Sequence, residues 1–414
     1  MQYRTLSDKQ LAAMLWWSMD AYKDLDGVLC DGSVRSGKTM SMSVGFVLWS
    51  MSRYRNQTFA MCGKTIEALR RNVVNPLRTW LEGLFTVREH RAQNYIEIFY
   101  GDTVNRYYLF GGKDESSAAL IQGITLAGVL LDEVALMPRS FVEQALARCS
   151  VAGSKFWFNC NPESSEHWFY REWVQKVKEK RVLHLHLTMD DNPSLDEAVK
   201  KRHERLYSGV FYDRYIRGIW CIAEGLVYPM FDRGKNVARE HGTSGDYYIS
   251  IDYGTLNPTA MGLWRVDGDT VTMEREYYYD GREQKRQKTD EEYYADLESF
   301  AGGVPIVQVI IDPSAASFRE CIRRHGKFRV KDAKNDVLDG IRFTASLMAS
   351  EKLKIHESCE NTIRELGAYA WDGKATEDKV IKANDHSMDQ MRYLCYTLRR
   401  RIKAGYGDYG TFML

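Results

Sequence analysis

The chain has 414 residues, 57 basic against 56 acidic side chains and 44% hydrophobic residues, enough for two or three domains that each bury a core. The near-zero net charge excludes binding of nucleic acid through a global positive field, so any such contact must come from local basic patches. No run of about 18 uninterrupted apolar residues exists and residues 1–10 lack an apolar signal core, so a soluble, intracellular protein with no membrane contact is expected. The eight cysteines, Cys30, Cys62, Cys149, Cys160, Cys221, Cys321, Cys359 and Cys395, form no C-x-x-C pair and read as reduced core residues, neither disulfides nor zinc ligands.

Residues 1–220 alternate strand-like and helix-like segments, the pattern of an α/β domain with a mostly parallel sheet and helices on both faces. Residues 27–30 read as a short buried strand and residues 40–51 as a helix. Between them stands Gly32-Ser33-Val34-Arg35-Ser36-Gly37-Lys38-Thr39, a match to the phosphate-loop pattern G-x-x-x-x-G-K-[ST]. The glycines let the loop fold tightly around an anion, and the helix start offers N–H groups and a positive dipole end. Lys38 is placed for the β and γ phosphates and the Thr39 hydroxyl for Mg²⁺, so binding and hydrolysis of a nucleoside triphosphate such as ATP are expected.

Further strands are expected at 58–62, 95–99, 105–110, 127–131, 155–159 and 182–187. The strand at 127–131 runs into Asp132-Glu133, which assigns Asp132 to the Mg²⁺ shell and Glu133 to polarising the attacking water. An Asp-Glu pair on its own equally caps a helix. The strand at 155–159 ends in Asn159-Cys160-Asn161-Pro162, whose amides are positioned to sense a γ phosphate and couple hydrolysis to movement, or else form an Asn-Pro turn.

Residues 221–245, rich in Gly and charge, read as a linker, and a second alternation fills residues 246–414. Strands at 247–252, 260–266 and 270–279 come first, the last two joined by the hairpin signal Asp267-Gly268-Asp269. A helix over about 289–300 leads to a buried strand at 306–311 that ends in Asp312. A helix, a short strand at 353–356 and a late helix beginning near Asp385-His386-Ser387-Met388-Asp389 complete the chain. This is the order of an RNase H-like nuclease domain, which would bring Asp252, Asp312 and Asp389 to one end of a sheet to hold two divalent ions about 4 Å apart for phosphodiester hydrolysis. His386 and Asp389, three apart, share a helix face, as do Asp385 and Asp389, four apart. Asp389 ranks first among these as a metal ligand, His386 second and Asp385 third. Any one strand-terminal aspartate alone equally caps a turn.

The phosphate loop, Leu130-Leu131-Asp132-Glu133, Asn159-Cys160-Asn161-Pro162, Asp252-Tyr253-Gly254 with Asn257-Pro258-Thr259, Asp312-Pro313-Ser314 and Asp385-His386-x-x-Asp389 occur in one order over nearly the whole chain. Together they resemble the large terminase subunits of tailed bacteriophages, in particular the headful-packaging and defective-prophage type whose last nuclease motif pairs a His with an Asp. The resemblance implies an ATP-driven motor that threads viral double-stranded DNA through a portal protein into a procapsid and cuts the concatemer. It implies ATP with Mg²⁺ at the first site, and two divalent ions, Mg²⁺ or Mn²⁺, held by Asp252, Asp312, His386 and Asp389 at the second. A terminase small subunit and further copies of the chain on the portal are its implied partners, in the bacterial host cytoplasm and not in the mature virion. It further implies an adenine-reading role for Gln10, a catalytic role for Arg35 within the loop, and Arg139, Arg70 or Arg71 as a finger reaching a neighbouring subunit. The basic runs 282–288 and 399–403 are candidate contacts to DNA phosphates.

Two rival readings are an ATP-dependent helicase or repair nuclease, which would need a second motor domain where the nuclease pattern begins, and an RNase H-like transposase, which leaves the phosphate loop idle. A capsid-docking protein without enzymatic activity explains neither constellation.

Overall fold

A strand whose every residue is buried must lie inside a sheet covered on both faces, and β1 (Gly27–Gly32) is buried at each of its positions. The computed structural model describes residues 5–254, 257–373, 375, 378–383 and 385–402. They form two compact units, one made of residues up to 203 with 212–222, the other of 204–211 and the residues from 223 onward.

The first unit is built on an eight-stranded sheet. With β2 (Thr58–Gly63), β3 (Thr86–His90), β4 (Tyr95–Tyr100), β5 (Thr103–Gly111), β6 (Gly128–Asp132), β7 (Lys155–Asn159) and β8 (Val182–Leu187), the order is β3-β4-β5-β2-β6-β7-β1-β8. Pairing is parallel from β5 to β8 and antiparallel among β3, β4 and β5. Strand β3 has no counterpart in the sequence reading; it is an edge strand with no buried residue and therefore no hydrophobic signature. Helix α1 (Asp8–Leu15) starts at a capping box in which Ser7 and Gln10 exchange bonds. Helix α2 (Lys38–Arg53) begins earlier than residues 40–51 suggested, so Lys38 and Thr39 belong to its first turn. On one side of the sheet, Trp157 of β7 packs against Trp49, Phe46 and Trp16 with ring centroids 4.7, 5.0 and 5.2 Å away.

The second unit has β9 (Val237–Ala238), β10 (Asp246–Asp252), β11 (Thr259–Asp267), β12 (Thr270–Tyr279), β13 (Ile306–Ile311), β14 (Val330–Asp332) and β15 (Leu353–His356), in the order β14-β13-β10-β11-β12-β15-β9. Strands β10, β11 and β12 are antiparallel, while β13 runs parallel to β10. The RNase H-like core is thus present, with β10 central. Residues 221–245, read as a linker, contain β9, which pairs with β15, and Asn236, whose side-chain amide donates to the carbonyls of Met348 and Leu353 at 3.1 and 3.2 Å.

A buried polar cluster sets the last helix, His386–Thr397, against this sheet. The Trp264 indole N–H donates to Ser250 Oγ (2.8 Å) and to Gln390 Oε1 (3.1 Å), and Ser250 also bonds Gln390. Ser250 lies two residues before Asp252 and Gln390 directly follows Asp389, so these bonds fix the register between the acids. Gly262 makes room for them: a Cβ there would come within 2.3 Å of Trp264 Nε1 and 2.5 Å of Gln390 Oε1. Gly262→Ala should therefore cost about 1–3 kcal/mol of stability in urea unfolding; an unchanged midpoint would show that the cluster yields freely.

Candidate functional site

At the carboxyl edge of the first sheet the chain turns out of β1 with Gly32 at φ 124°, where a Cβ would stand 1.9 Å from the Leu187 carbonyl oxygen. Gly37, φ 85°, is the N-cap of α2 and supplies no capping side chain to the first-turn N–H groups, as an anion site requires. The Lys38 ammonium donates to the carbonyls of Ser33 (2.6 Å) and Gly32 (3.2 Å), to Ser36 Oγ (3.2 Å) and to Asn161 Oδ1 (3.2 Å). From β7, Asn159 Nδ2 donates to Asp132 Oδ1 (2.5 Å) at the end of β6 and to Thr39 Oγ1 (2.9 Å), and Thr39 Oγ1 is 3.4 Å from the same carboxylate. Six expected positions, Gly32, Gly37, Lys38, Thr39, Asp132 and Asn159, thus meet in one place, with Asn161 beside them.

The donor set suits Mg²⁺: a hydroxyl and a carboxylate lie side by side, and buried Asn159 Oδ1 has no hydrogen-bond partner, which the water ligands of a hydrated cation would supply. Burial, reinforced by the Glu133 charge, pushes the Asp132 carboxyl up to about 7. Burial likewise lowers the Lys38 ammonium to about 8. Glu133 is half-buried in a left-handed conformation (φ 59°), a sharp turn directly off the strand. Gln10 is buried, its amide donating to the Ser36 carbonyl at 3.0 Å, so α1 is tied to the loop. Ser33 and Ser36 are buried within the loop, Val34 donates its N–H to the Tyr215 carbonyl, and Arg35 lies exposed at φ 60°.

One residue of this unit escaped the sequence reading. Buried Asp31, next to Gly32, accepts from Trp220 Nε1 (2.7 Å) and lies 3.0 Å from His184 Nε2 and 2.9 Å from His186 Nδ1. Burial opposes its charge, but these groups hold its carboxyl well below the usual range. With the Val34–Tyr215 bond, Asp31 ties segment 212–222 to the base of the phosphate loop. Among the candidate fingers, Arg139 pairs with Glu143, Arg70 with Glu89 and Asn94, and Arg71 with Asn72.

In the second unit, Asp252 ends β10 and Asp312 directly follows β13, so the two parallel strands deliver both acids to one edge. His386 Nδ1 is 2.8 Å from Asp252 Oδ2. Asp312 accepts from the Ser314 N–H at 2.7 Å. Asp389 accepts from Arg392 at 2.8 Å and pairs with Lys382 at 3.1 Å; Lys382 also lies 2.9 Å from Asp385, the N-cap of the last helix. Asp252 and His386 are thus in direct contact, and Asp385 and Asp389 flank one ammonium. The four ligands proposed from sequence do not close around a single point among the described residues. The carboxylate oxygens are the donor chemistry of Mg²⁺ or Mn²⁺, and of these two Mn²⁺ also accepts an imidazole nitrogen.

Burial, with the charges of Asp389 and Asp385, raises the Asp252 carboxyl against the pull of its His386 bond. Burial opposes the charge on His386, yet Asp252 keeps it above its ordinary value. Three groups here were not foreseen: Lys382, Arg392, and buried Glu365, which accepts from the Ser387 N–H at 2.8 Å and is pushed up to about 7 by burial. Of the basic runs, Arg286 pairs with Glu292, Lys288 with Asp296 and Arg401 with Asp246, while Lys403 lies outside the described residues. Among the described residues no helix is long and apolar enough to cross a membrane.

A family model for the terminase large subunit of T4-like-virus type, N-terminal part, matches residues 29–235. The large terminase of a thermophilic bacteriophage superposes with a TM-score of 0.92 at 50% identity, over 96% of this chain and 100% of that one. The chain belongs to the phage large terminase family. The same thermophilic phage's large terminase in complex with ADP matches at 49% identity and TM-score 0.89, covering 95% of this chain and 100% of that one. Its complex with ATP-γ-S matches at 48% and 0.87, over 94% and 98%. The large terminase subunit of Escherichia phage T5 is 24% identical over 337 residues, 77% of this chain and 74% of that protein.

The raised Asp132 carboxyl makes a stability prediction for this terminase without nucleotide. The folded chain keeps a proton that the unfolded chain gives up near pH 4, so the associated stability is present below that pH and lost as pH rises through about 7. Asp132→Asn should melt above wild type at pH 8 and level with it at pH 4; a variant that melts lower at pH 8 would show that the ionised carboxylate is well compensated.

Proposed function

We propose that this terminase is the motor and nuclease of viral DNA packaging, with residues 1–220 hydrolysing ATP, residues 246–414 cutting double-stranded DNA, and residues 221–245 joining the two while lending β9 to the second sheet. The observation that carries the reading is the meeting of Lys38, Thr39, Asp132 and Asn159 at one sheet edge. Lys38, whose ammonium rests on loop carbonyls, is the charge for the β and γ phosphates. The side chains of Thr39 and Asp132 would hold Mg²⁺, which neutralises phosphate charge when bound. Glu133 orients and polarises the attacking water. Asn161 contacts Lys38 and Asn159 contacts both Asp132 and Thr39, so the two amides touch the ammonium, the hydroxyl and the carboxylate placed for phosphate and Mg²⁺; that is the physical basis for a coupling role. The complexes of the thermophilic phage's terminase with ADP and ATP-γ-S support the nucleotide assignment.

In the second unit, Asp252, Asp312, His386 and Asp389 would hold two divalent ions, Mg²⁺ or Mn²⁺, which activate water and stabilise the leaving oxygen in phosphodiester hydrolysis. His386 orients Asp252 through their direct bond. Balanced overall charge suits a motor that must release and re-engage DNA of any sequence through its phosphates. Portal protein, a terminase small subunit and further copies of the chain are the partners of this work, at the procapsid in the host cytoplasm.

Lys38→Ala should lower ATP turnover by about 10²-fold or more while leaving metal-dependent plasmid cleavage intact, and Asp252→Asn should do the reverse. Phosphate release and gel assays on the same preparations check both. Loss of both activities in either variant would sink the two-site reading.

A further inference from the structure

We propose that Glu291, Cys321 and His325 form a binding site for a thiophilic divalent cation of the zinc class, on the helices of the second unit and separate from the Asp252 carboxylates. Cys321 and His325 lie one turn apart on the helix Ala316–His325, so thiol and imidazole share a face. Glu291 comes from the first turn of the neighbouring helix, Asp290–Ala301. One donor atom from each of the three lies within 4.8 Å of the others, and His325 Nε2 is 2.7 Å from Glu291 Oε2.

The spacing fits metal ligation without backbone movement. Bonds of about 2.0–2.3 Å in tetrahedral geometry place ligand atoms roughly 3.5 Å apart, so the His325–Glu291 pair at 2.7 Å would open slightly and the separations of up to 4.8 Å would close, both within reach of side-chain rotation. The His325 ring is already oriented, stacked on Tyr294 at 3.7 Å and 8°. A sulfur, an imidazole nitrogen and one carboxylate oxygen select zinc-class ions over the Mg²⁺ suited to the carboxylate sites, and three protein ligands leave a fourth position to water. As the metal–sulfur bond forms, the thiol proton passes to solvent. The sequence reading placed Cys321 among inert core thiols because it sought C-x-x-C pairs; here the third ligand arrives from another helix.

The site has a structural connection to the nuclease edge. Asp290, beside Glu291, accepts from the Tyr253 hydroxyl at 2.5 Å, and the Tyr253 ring stacks on Phe318 of the Cys321 helix at 5.0 Å. Tyr253 directly follows Asp252. A cation at Glu291, Cys321 and His325 thus clips together the two helices that hold Tyr253 in place.

Cobalt(II) is the probe, titrated into chelator-treated full-length chain with excess Mg²⁺ to fill the carboxylate sites. One equivalent should produce a thiolate-to-cobalt absorption band that Zn²⁺ abolishes. Cys321→Ser should lose the band, and His325→Gln, at an exposed position that folding tolerates, should weaken cobalt affinity by about tenfold or more. Metal-free melts check that both variants fold. Absence of the band in wild type, or a band that either variant leaves at full strength and affinity, overturns the site and leaves a Glu291–His325 ion pair beside a core thiol.

Discussion

A parallel strand covered by helices on both faces has no solvent along its length, and it can release a charged side chain only where it ends. Burying an unpaired charge costs several kcal/mol, so the acids and amides of this terminase collect at carboxyl ends: Asp132, Asn159 and Asp252 are the last residues of β6, β7 and β10, and Asp312 directly follows β13. The 32–39 loop leaves β1 at the same edge as Asp132 and Asn159, which brings the ends of three strands together in one place. In the second unit the parallel pairing of β10 with β13 does the same for two carboxylates. Two unrelated chemistries therefore rest on one constraint of sheet geometry.

Each site also carries its own charge compensation. In the first unit, Lys38 is satisfied by loop carbonyls and Asp132 by the Asn159 amide, while burial raises the one carboxyl and lowers the one ammonium. In the second, Asp389 faces two cations of different standing. The Arg392 side chain is 3% exposed and belongs to the core, whereas Lys382 is 62% exposed and stands in solvent. Asp389 is thereby paired with one core cation and one exposed cation.

Buried polar bonds supply the register that hydrophobic packing leaves loose. Apolar faces slide over one another at little cost, but the Ser250, Trp264 and Gln390 bonds admit only one placement of the last helix on the sheet. Because Ser250 and Gln390 are near neighbours of Asp252 and Asp389, the cluster sets the separation of the acids. The tie from Asp31 to Trp220 does comparable work beneath the phosphate loop.

The sequence by itself determined the elements whose signals are local: the phosphate loop between a buried strand and a helix, the apolar strands ending in Asp132, Asp252 and Asp312, and the helix bearing His386 and Asp389. Burial pattern, glycine placement and strand-end acids are properties of adjacent residues, and they survive in a linear reading. Edge and minor strands such as β3, β9 and β14 bury too little to leave such a pattern. Only the tertiary structure decided the partners: Asp31 meets His184, His186 and Trp220 across sequence separations of 153, 155 and 189 residues, and Asp252 meets His386 across 134. Glu291 joins Cys321 and His325 in the same way, through the packing of two helices. Charge compensation acts over a few ångströms in space and is blind to distance along the chain, so it exists only once long-range packing has brought those groups together.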